Sequence, residues 1–309
     1  MLHLTEADVD RLLDMPAAIE AMEGAFRALA AGQAKNLPRR RVPGDGVLLH
    51  SMEASADYLG LLGWKHYTTR REGARFHVGL YEQSTGEMVA LIEADRLGQL
   101  RTGAVTGLAC KWLSAPQSRV AAIIGSGWQA ESQLAAVAAV AQLDEARVYS
   151  RSVERRLSFA ERMSADLGLS VRACDSVSAA TADAQIVVTA TTSKTPVLEI
   201  EHLASDSLVC AIGSNWLQKS ELGERIVEQA SLVICDSVDC CREEAGDLQA
   251  AVERDEFEWS DARELADVVA GRVAVTSDGF GHRVFKSVGM AIEDVAIAHV
   301  ARCRATGDV

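Results

Sequence analysis

"RVAAIIGSGWQAESQ", residues 119–133, carries an apolar run into Gly125 and Gly127 and then opens a helical pattern. An apolar strand that meets GxGxxA, here Gly125, Gly127 and Ala130, and turns straight into a helix is the setting in which such a loop holds a dinucleotide. The glycines let the backbone turn tightly and approach a pyrophosphate, whose charge meets N–H groups at the helix start. Ser126, Trp128 and Gln129 complete the loop as candidate cofactor contacts.

Outward from this motif the same grammar repeats. "ARVYS", "LSVRAC", "AQIVVTAT", "SLVCAIG" and "SLVICD" are short apolar strands, with helical stretches such as "WQAESQLAAVAAVAQ" and "VERRLSFAERMSADLG" among them. Strands alternating with helices predict an α/β fold, a Rossmann-type doubly wound parallel sheet, over residues 116–279. The tip of the second strand selects the dinucleotide. An NAD site usually offers an acidic residue there for the ribose hydroxyls, whereas a 2′-phosphate needs cations and small donors. This tip reads "VYSRSVERR", giving Ser150, Arg151, Ser152 and Arg155 and no carboxylate before Glu154. It favours NADP(H), with NAD(H) as the alternative.

Residues 1–115 follow a different pattern. Thr5 and Pro16 mark helix starts, and Ile19, Met22, Phe26 and Leu29 recur at helical spacing. "GVLLHSMEA", "LGLLGWKHY", "RFHVGLYEQ" and "GEMVALIEA" then read as antiparallel strands, with Ser84-Thr85-Gly86 a hairpin turn. "ADRLGQLRTGAVTGLACKWLS" reads as one helix ended by Pro116. The last stretch, "VFKSVGMAIEDVAIAHVARCRA", is expected to be a long helix that docks on a neighbouring domain or subunit, joining residues 280–309 to the first domain. The Gly-rich "TSDGFGHR", 276–283, is expected to be the hinge back to it.

Composition narrows the partners. A net charge of −13 over 309 residues argues against a nucleic-acid partner, which usually meets a basic face. No window approaches the roughly 20 apolar residues of a membrane span, and no basic-then-apolar leader opens the chain, so a cytoplasmic protein is expected. Seven cysteines (Cys110, Cys174, Cys210, Cys235, Cys240, Cys241, Cys303) show no CxxC spacing, and no metal cluster is expected.

Three cations stand where solvation explains them poorly: Lys65 inside the apolar "LLGWKHY", Arg101 on "RLGQLRTGAV" and Arg41 at the end of "PRRRV". An arginine fork suits a carboxylate, and a lysine near other cations can exchange a proton at neutral pH. Arg39 and Arg40 read as structural ion-pair residues or solvated charges, although Arg39 would share a strand face with Arg41.

The stretches "GWKHY", "TGEMVALIEADRLGQLRTGAV", "IIGSGWQA", "TATTSKTPVL", "GSNWLQKSEL" and "VFKSVGMAIEDV" resemble the ornithine cyclodeaminase and mu-crystallin family, in order and from about residue 38 to the end. That family includes ketimine and pyrroline-2-carboxylate reductases and an archaeal alanine dehydrogenase. The resemblance implies a homodimer with an α+β substrate and dimerisation domain beside the Rossmann domain. It implies Lys65 as the active-site lysine, with Arg101 and Arg41 as carboxylate clamps. Thr189, Ala190 and Thr191 would line the cofactor cleft, Ser287 would lie near the nicotinamide, and Val288 near the substrate.

Two positions depart from the cyclodeaminase pattern. Asn215 stands where cyclodeaminases carry a proton-handling aspartate, and an amide has no titratable group near neutrality. His77 stands where relatives commonly have a small hydroxyl residue next to the cofactor, and is either a core or surface histidine or an extra hydrogen-bonding group near the substrate. The expectation is therefore NADPH-dependent reduction of a small cyclic imino acid, of the Δ1-pyrroline-2-carboxylate or Δ1-piperideine-2-carboxylate type, to the L-amino acid. Ornithine cyclodeamination, alanine-dehydrogenase-like chemistry and a mu-crystallin-like binding protein are the alternatives.

Overall fold

The computed structural model describes residues 1–275 and 281–308. The chain forms two compact units: Met1–Val105 together with the chain from Gly289 onward, and Thr106–Val288. The division falls inside the helix Asp95–Leu113, between Val105 and Thr106.

The first unit is a seven-stranded sheet. Its antiparallel body runs Met88–Glu93, Gly73–Glu82, Leu61–Arg70 and Val47–Ala56, with Ala34–Asn36 and Arg40–Gly44 both paired to the last. Leu2–Leu4 adds in parallel on Met88–Glu93, a strand ahead of the expected helices. Those helices are Glu6–Leu12, capped by Thr5, and Met15–Ala30, with Asp14 as its cap and Pro16 in its first turn. Alternation along each strand makes one face apolar, and Ala291–Thr306 packs on that face and on Met15–Ala30. Val9, Met22, Phe26, Leu80, Ile92 and Val295 form this core.

The second unit is an all-parallel eight-stranded sheet. Across it lie Ser170–Ala173, Glu145–Tyr149, Val120–Ile124, Ile186–Thr189, Leu208–Ala211, Arg283–Lys286, Leu232–Cys235 and Arg263–Glu264. The first three strands build outward in one direction. The chain then returns to the other side of Val120–Ile124, so the order reverses between Ile124 and Thr189, where a doubly wound sheet opens a crevice.

One expectation is corrected here. Residues 283–286 are a buried central strand, not the start of the final helix, because Val284 and Phe285 suit a strand buried on both faces. Gly289, in the left-handed region, separates this strand from the helix, which begins at Ala291. Of the expected hinge, residues 276–280 lie outside the described residues, and no helix among the described residues is long and apolar enough to cross a membrane.

Candidate functional site

The second unit holds a cavity of ≈ 490 Å³ at the strand ends where the order reverses. Gly125, Ser126 and Gly127 line it from the first loop, Ser150, Arg151, Ser152 and Arg155 from the second strand's tip, and Ala190 and Thr191 from the third. Gly125 has φ +125°, and a Cβ there would run into the Ala190 carbonyl oxygen, so the loop closes on its neighbour only as glycine. Gly127 caps Trp128–Val140 without a side chain, which turns the helix start to the cavity as an anion site.

The second tip is braced. Ser126 Oγ donates to Ser150 Oγ at 2.8 Å, and Ser150 Oγ donates to the Ser152 carbonyl at 3.2 Å. Ser152 caps the next helix by accepting from Arg155 N–H. The buried Arg156, which the sequence reading passed over, donates to the Ser150 carbonyl at 3.0 Å and to Asp175 at 2.6 Å. Among the described residues the cavity lining carries two arginines and no carboxylate.

Five residues nominated for the cofactor, together with Val288 and Asn215, stand apart from that lining. Trp128 and Gln129 form the helix's first turn, and Ala130 is buried beneath it. Thr189 is fully buried, with its hydroxyl donated to Glu221 at 3.0 Å. Ser287 is buried too, and its Oγ donates to Asp236 Oδ2 at 2.8 Å; the Val288 N–H donates to the same oxygen at 2.8 Å. Asn215 is half-buried on the loop after Leu208–Ala211.

In the first unit the cations gather at the start of the last helix. Lys65 is fully buried and donates to Asp294 Oδ1 at 2.8 Å. Arg101 donates to Glu293 Oε2 at 2.8 Å, with its Nε 3.3 Å from Asp294. Glu293 and Asp294, both 0% exposed, occupy the helix's first turn, where carboxylates also face the positive end of the helix dipole. Arg39 is buried as well, only 6% exposed, and donates to Met52 Sδ at 3.3 Å and to the Gly289 carbonyl at 3.4 Å. Of the two readings of Arg39, burial sets aside the solvated charge and leaves the structural role. Arg41 is half-buried opposite His50 and shares the Lys65 face of the sheet.

Burial drives the Lys65 ammonium down; Asp294 opposes this, and Arg101 and Arg39 lower it further, to about 8. Lys65 can thus give up a proton near neutrality. An aromatic wall stands beside it. Tyr67 stacks on His50 at 4.0 Å and on Phe76 at 4.7 Å, and the Lys65 ammonium is 5.2 Å from the Phe76 ring centre. Burial, with Arg41 and Arg39, takes His50 down to about 4, so it is neutral at pH 7.

His77 does not join this group. It is exposed and pairs with His66, and since neighbouring residues of a strand face opposite ways, both lie across the sheet from Lys65. Glu293 and Asp294 went unnominated, although two acids in the otherwise apolar "AIEDVAIA" were a visible signal.

A lysine that exchanges a proton near neutrality, set among arginines suited to a carboxylate, fits an amino- or imino-acid carbon–nitrogen bond. A dinucleotide crevice in the same chain supplies the matching redox half. The protein is an oxidoreductase that uses a nicotinamide dinucleotide and acts on CH–NH or C=N groups. It belongs to the ornithine cyclodeaminase/mu-crystallin family, whose model matches residues 1–308.

The chain is 33% identical over 255 residues to a Δ1-pyrroline-2-carboxylate reductase of Bacillus cereus, covering 80% of this chain and 78% of that one. The solved Thermococcus litoralis Δ1-pyrroline-2-carboxylate reductase, in complex with NADH and L-proline, superposes with a TM-score of 0.95 at 29% identity over 99% of this chain and 98% of that one. An archaeal alanine dehydrogenase dimer with bound NAD gives 0.93 at 28% identity, over 99% and 96% of the two chains.

Proposed function

We propose that the chain reduces a small cyclic imino acid of the Δ1-pyrroline-2-carboxylate or Δ1-piperideine-2-carboxylate type to the L-amino acid, with NADPH as the hydride donor. The observation that carries this reading is the buried Lys65, held by Asp294 and drawn to about 8 beside Arg101 and Arg39. Lys65, Arg101, Arg39 and Arg41 bring four positive charges, and Glu293 and Asp294 bring two negative ones, so a substrate carboxylate improves the balance. Arg101 and an arginine of the Arg39–Arg41 strand hold that carboxylate. Lys65 supplies the proton to the imine nitrogen, and the dinucleotide, when bound, supplies hydride to the imine carbon. The flat His50–Tyr67–Phe76 wall suits a planar ring.

Asn215 supports reduction over cyclodeamination, because an amide orients a nitrogen without taking its proton. Arg151 and Arg155, with Ser150 and Ser152, support a 2′-phosphate and hence NADP(H). A homodimer is part of the proposal. The sheet face away from Lys65 exposes Leu49 (41%) and Leu62 (44%), an apolar surface that a second copy would cover. The test is NADPH and NADH oxidation with both cyclic ketimines from about pH 5 to pH 9, the range over which a lysine of this kind changes state. Absence of turnover with either cofactor rejects the reading, and ammonia release from ornithine would replace it.

A further inference from the structure

The second unit contains a buried charged cluster that the crevice and Asn215 do not account for. Glu221, fully buried, accepts from Thr191 N–H at 2.6 Å through Oε1, and from Gly213 N–H at 2.7 Å and Thr189 Oγ at 3.0 Å through Oε2. One carboxylate therefore ties the end of Ile186–Thr189 and the turn after it, whose Ala190 and Thr191 line the dinucleotide crevice, to the loop that carries Asn215. Gly213 permits this: a Cβ there would lie 2.5 Å from both Glu221 carboxylate oxygens.

Glu221 is itself held. Asp247 Oδ1 accepts from Glu221 N–H at 2.5 Å, from Leu222 N–H at 3.2 Å and from Ser220 Oγ at 3.2 Å. Asp247 Oδ2 pairs with the fully buried Lys286 at 2.6 Å, and Lys286 donates to the Ser214 carbonyl at 2.7 Å and the Ala211 carbonyl at 3.3 Å. Both backbone neighbours on the approach to Asn215, Gly213 and Ser214, are thus pinned by buried charges. Loops pinned in this way lose the freedom that connecting segments usually have.

We infer that Glu221, braced by Asp247 and Lys286, is a positioning residue that latches the Thr189–Thr191 crevice loop to the Gly213–Asn215 loop and so sets cofactor affinity. The catalytic meaning rests on the reading under Proposed function; the latch itself does not.

Glu221→Gln is the discriminating change. Both carboxylate oxygens accept from a backbone N–H, so an amide of nearly equal size must turn its NH2 group toward either Thr191 N–H or Gly213 N–H. Hydrogen–deuterium exchange is read first. In the wild type the Thr191 and Gly213 amides, though outside the strands, should exchange as slowly as strand amides. In Glu221→Gln at least one should exchange about tenfold to a hundredfold faster, with the strands unchanged, as expected when a bond to a charged acceptor is lost.

The same variant should bind the dinucleotide about tenfold more weakly, and raise the cofactor KM more than it lowers kcat. Free exchange of both amides in the wild type, or unchanged exchange and affinity in Glu221→Gln, overturns the inference. Should Glu221→Gln not fold, the wild-type measurement and Gly213→Ala, which displaces the carboxylate without changing charge, decide the matter by the same readings. If the variant loosens the amides and weakens dinucleotide binding while the wild type reduces no imine, the latch stands and the proposed reaction falls.

Discussion

Asp294→Asn tests the chemistry assigned to Lys65 without touching the lysine. Asp294 is 0% exposed, and its Oδ1 lies 2.8 Å from the Lys65 ammonium and 3.3 Å from Arg101 Nε. It raises the Lys65 pKa against burial and the two arginines, with about 8 as the outcome. A hydrogen bond to a charged partner contributes about 1.5–3 kcal/mol. At about 1.4 kcal/mol per unit, an amide in its place takes Lys65 down by roughly one to two units, to about 6–7. On the proposed mechanism the protonated lysine is the active form for imine reduction. Activity therefore falls as pH rises through its pKa, and the variant's alkaline limb must move to lower pH. The assay is the pH profile of kcat/KM for cyclic ketimine reduction. At pH near 7.5 the variant should lose roughly tenfold, with most of that loss recovered at about pH 5.5. A limb that stays near 8, with kcat/KM lowered equally at every pH, would refute the assignment of the titrating proton to this pair.

Lys65→Met should abolish turnover while leaving dinucleotide affinity within about twofold, since the lysine and the crevice belong to different units; retained turnover would remove Lys65 from the chemistry. Because the folded state lowers this lysine from 10.5 to about 8, the unfolded chain binds more protons between those values. Wild-type stability should therefore rise relative to Lys65→Met through that window, by up to roughly 3 kcal/mol in chemical denaturation. Arg151→Ala combined with Arg155→Ala should weaken NADPH at least tenfold while moving NADH little, measured by titration of each dinucleotide; equal losses would count against the 2′-phosphate reading. Asn215→Asp should shift the pH profile or bring in amine-directed activity, and no change in either would take Asn215 out of the site.

The crevice's glycine loop and second-strand tip were legible in the sequence, although Trp128, Gln129, Ala130 and Thr189 stand apart from its lining. Gly125, Gly127 and the Ser150–Arg155 tip are local features, because a strand, a tight turn and a helix start follow one another without interruption. Arg283–Lys286 was missed for the opposite reason. Its strand character depends on neighbours that are distant in sequence, Leu208–Ala211 and Leu232–Cys235, and its four residues run directly into a strong helical pattern. Thr189 and Ser287 were nominated for the cofactor cleft on resemblance, whereas their hydroxyls serve Glu221 and Asp236, carboxylates 32 and 51 residues away.

From its sequence alone the protein is an α/β chain with a Rossmann-type nucleotide unit, an antiparallel sheet ahead of it and a cationic candidate set around Lys65 and Arg101. These follow from period, turn chemistry and composition, which act over a few residues. Only the tertiary structure determines what each charge does. Arg39, Arg40 and Arg41 are adjacent and chemically identical, yet Arg39 is buried near Lys65, Arg41 is half-buried and Arg40 is exposed. Which of them faces inward depends on the register with Val47–Ala56 and on the turn at Gly289, 250 residues later. The pKa of Lys65 likewise depends on burial and on Asp294, 229 positions away, because desolvation and Coulomb energy depend on distance in space and not along the chain.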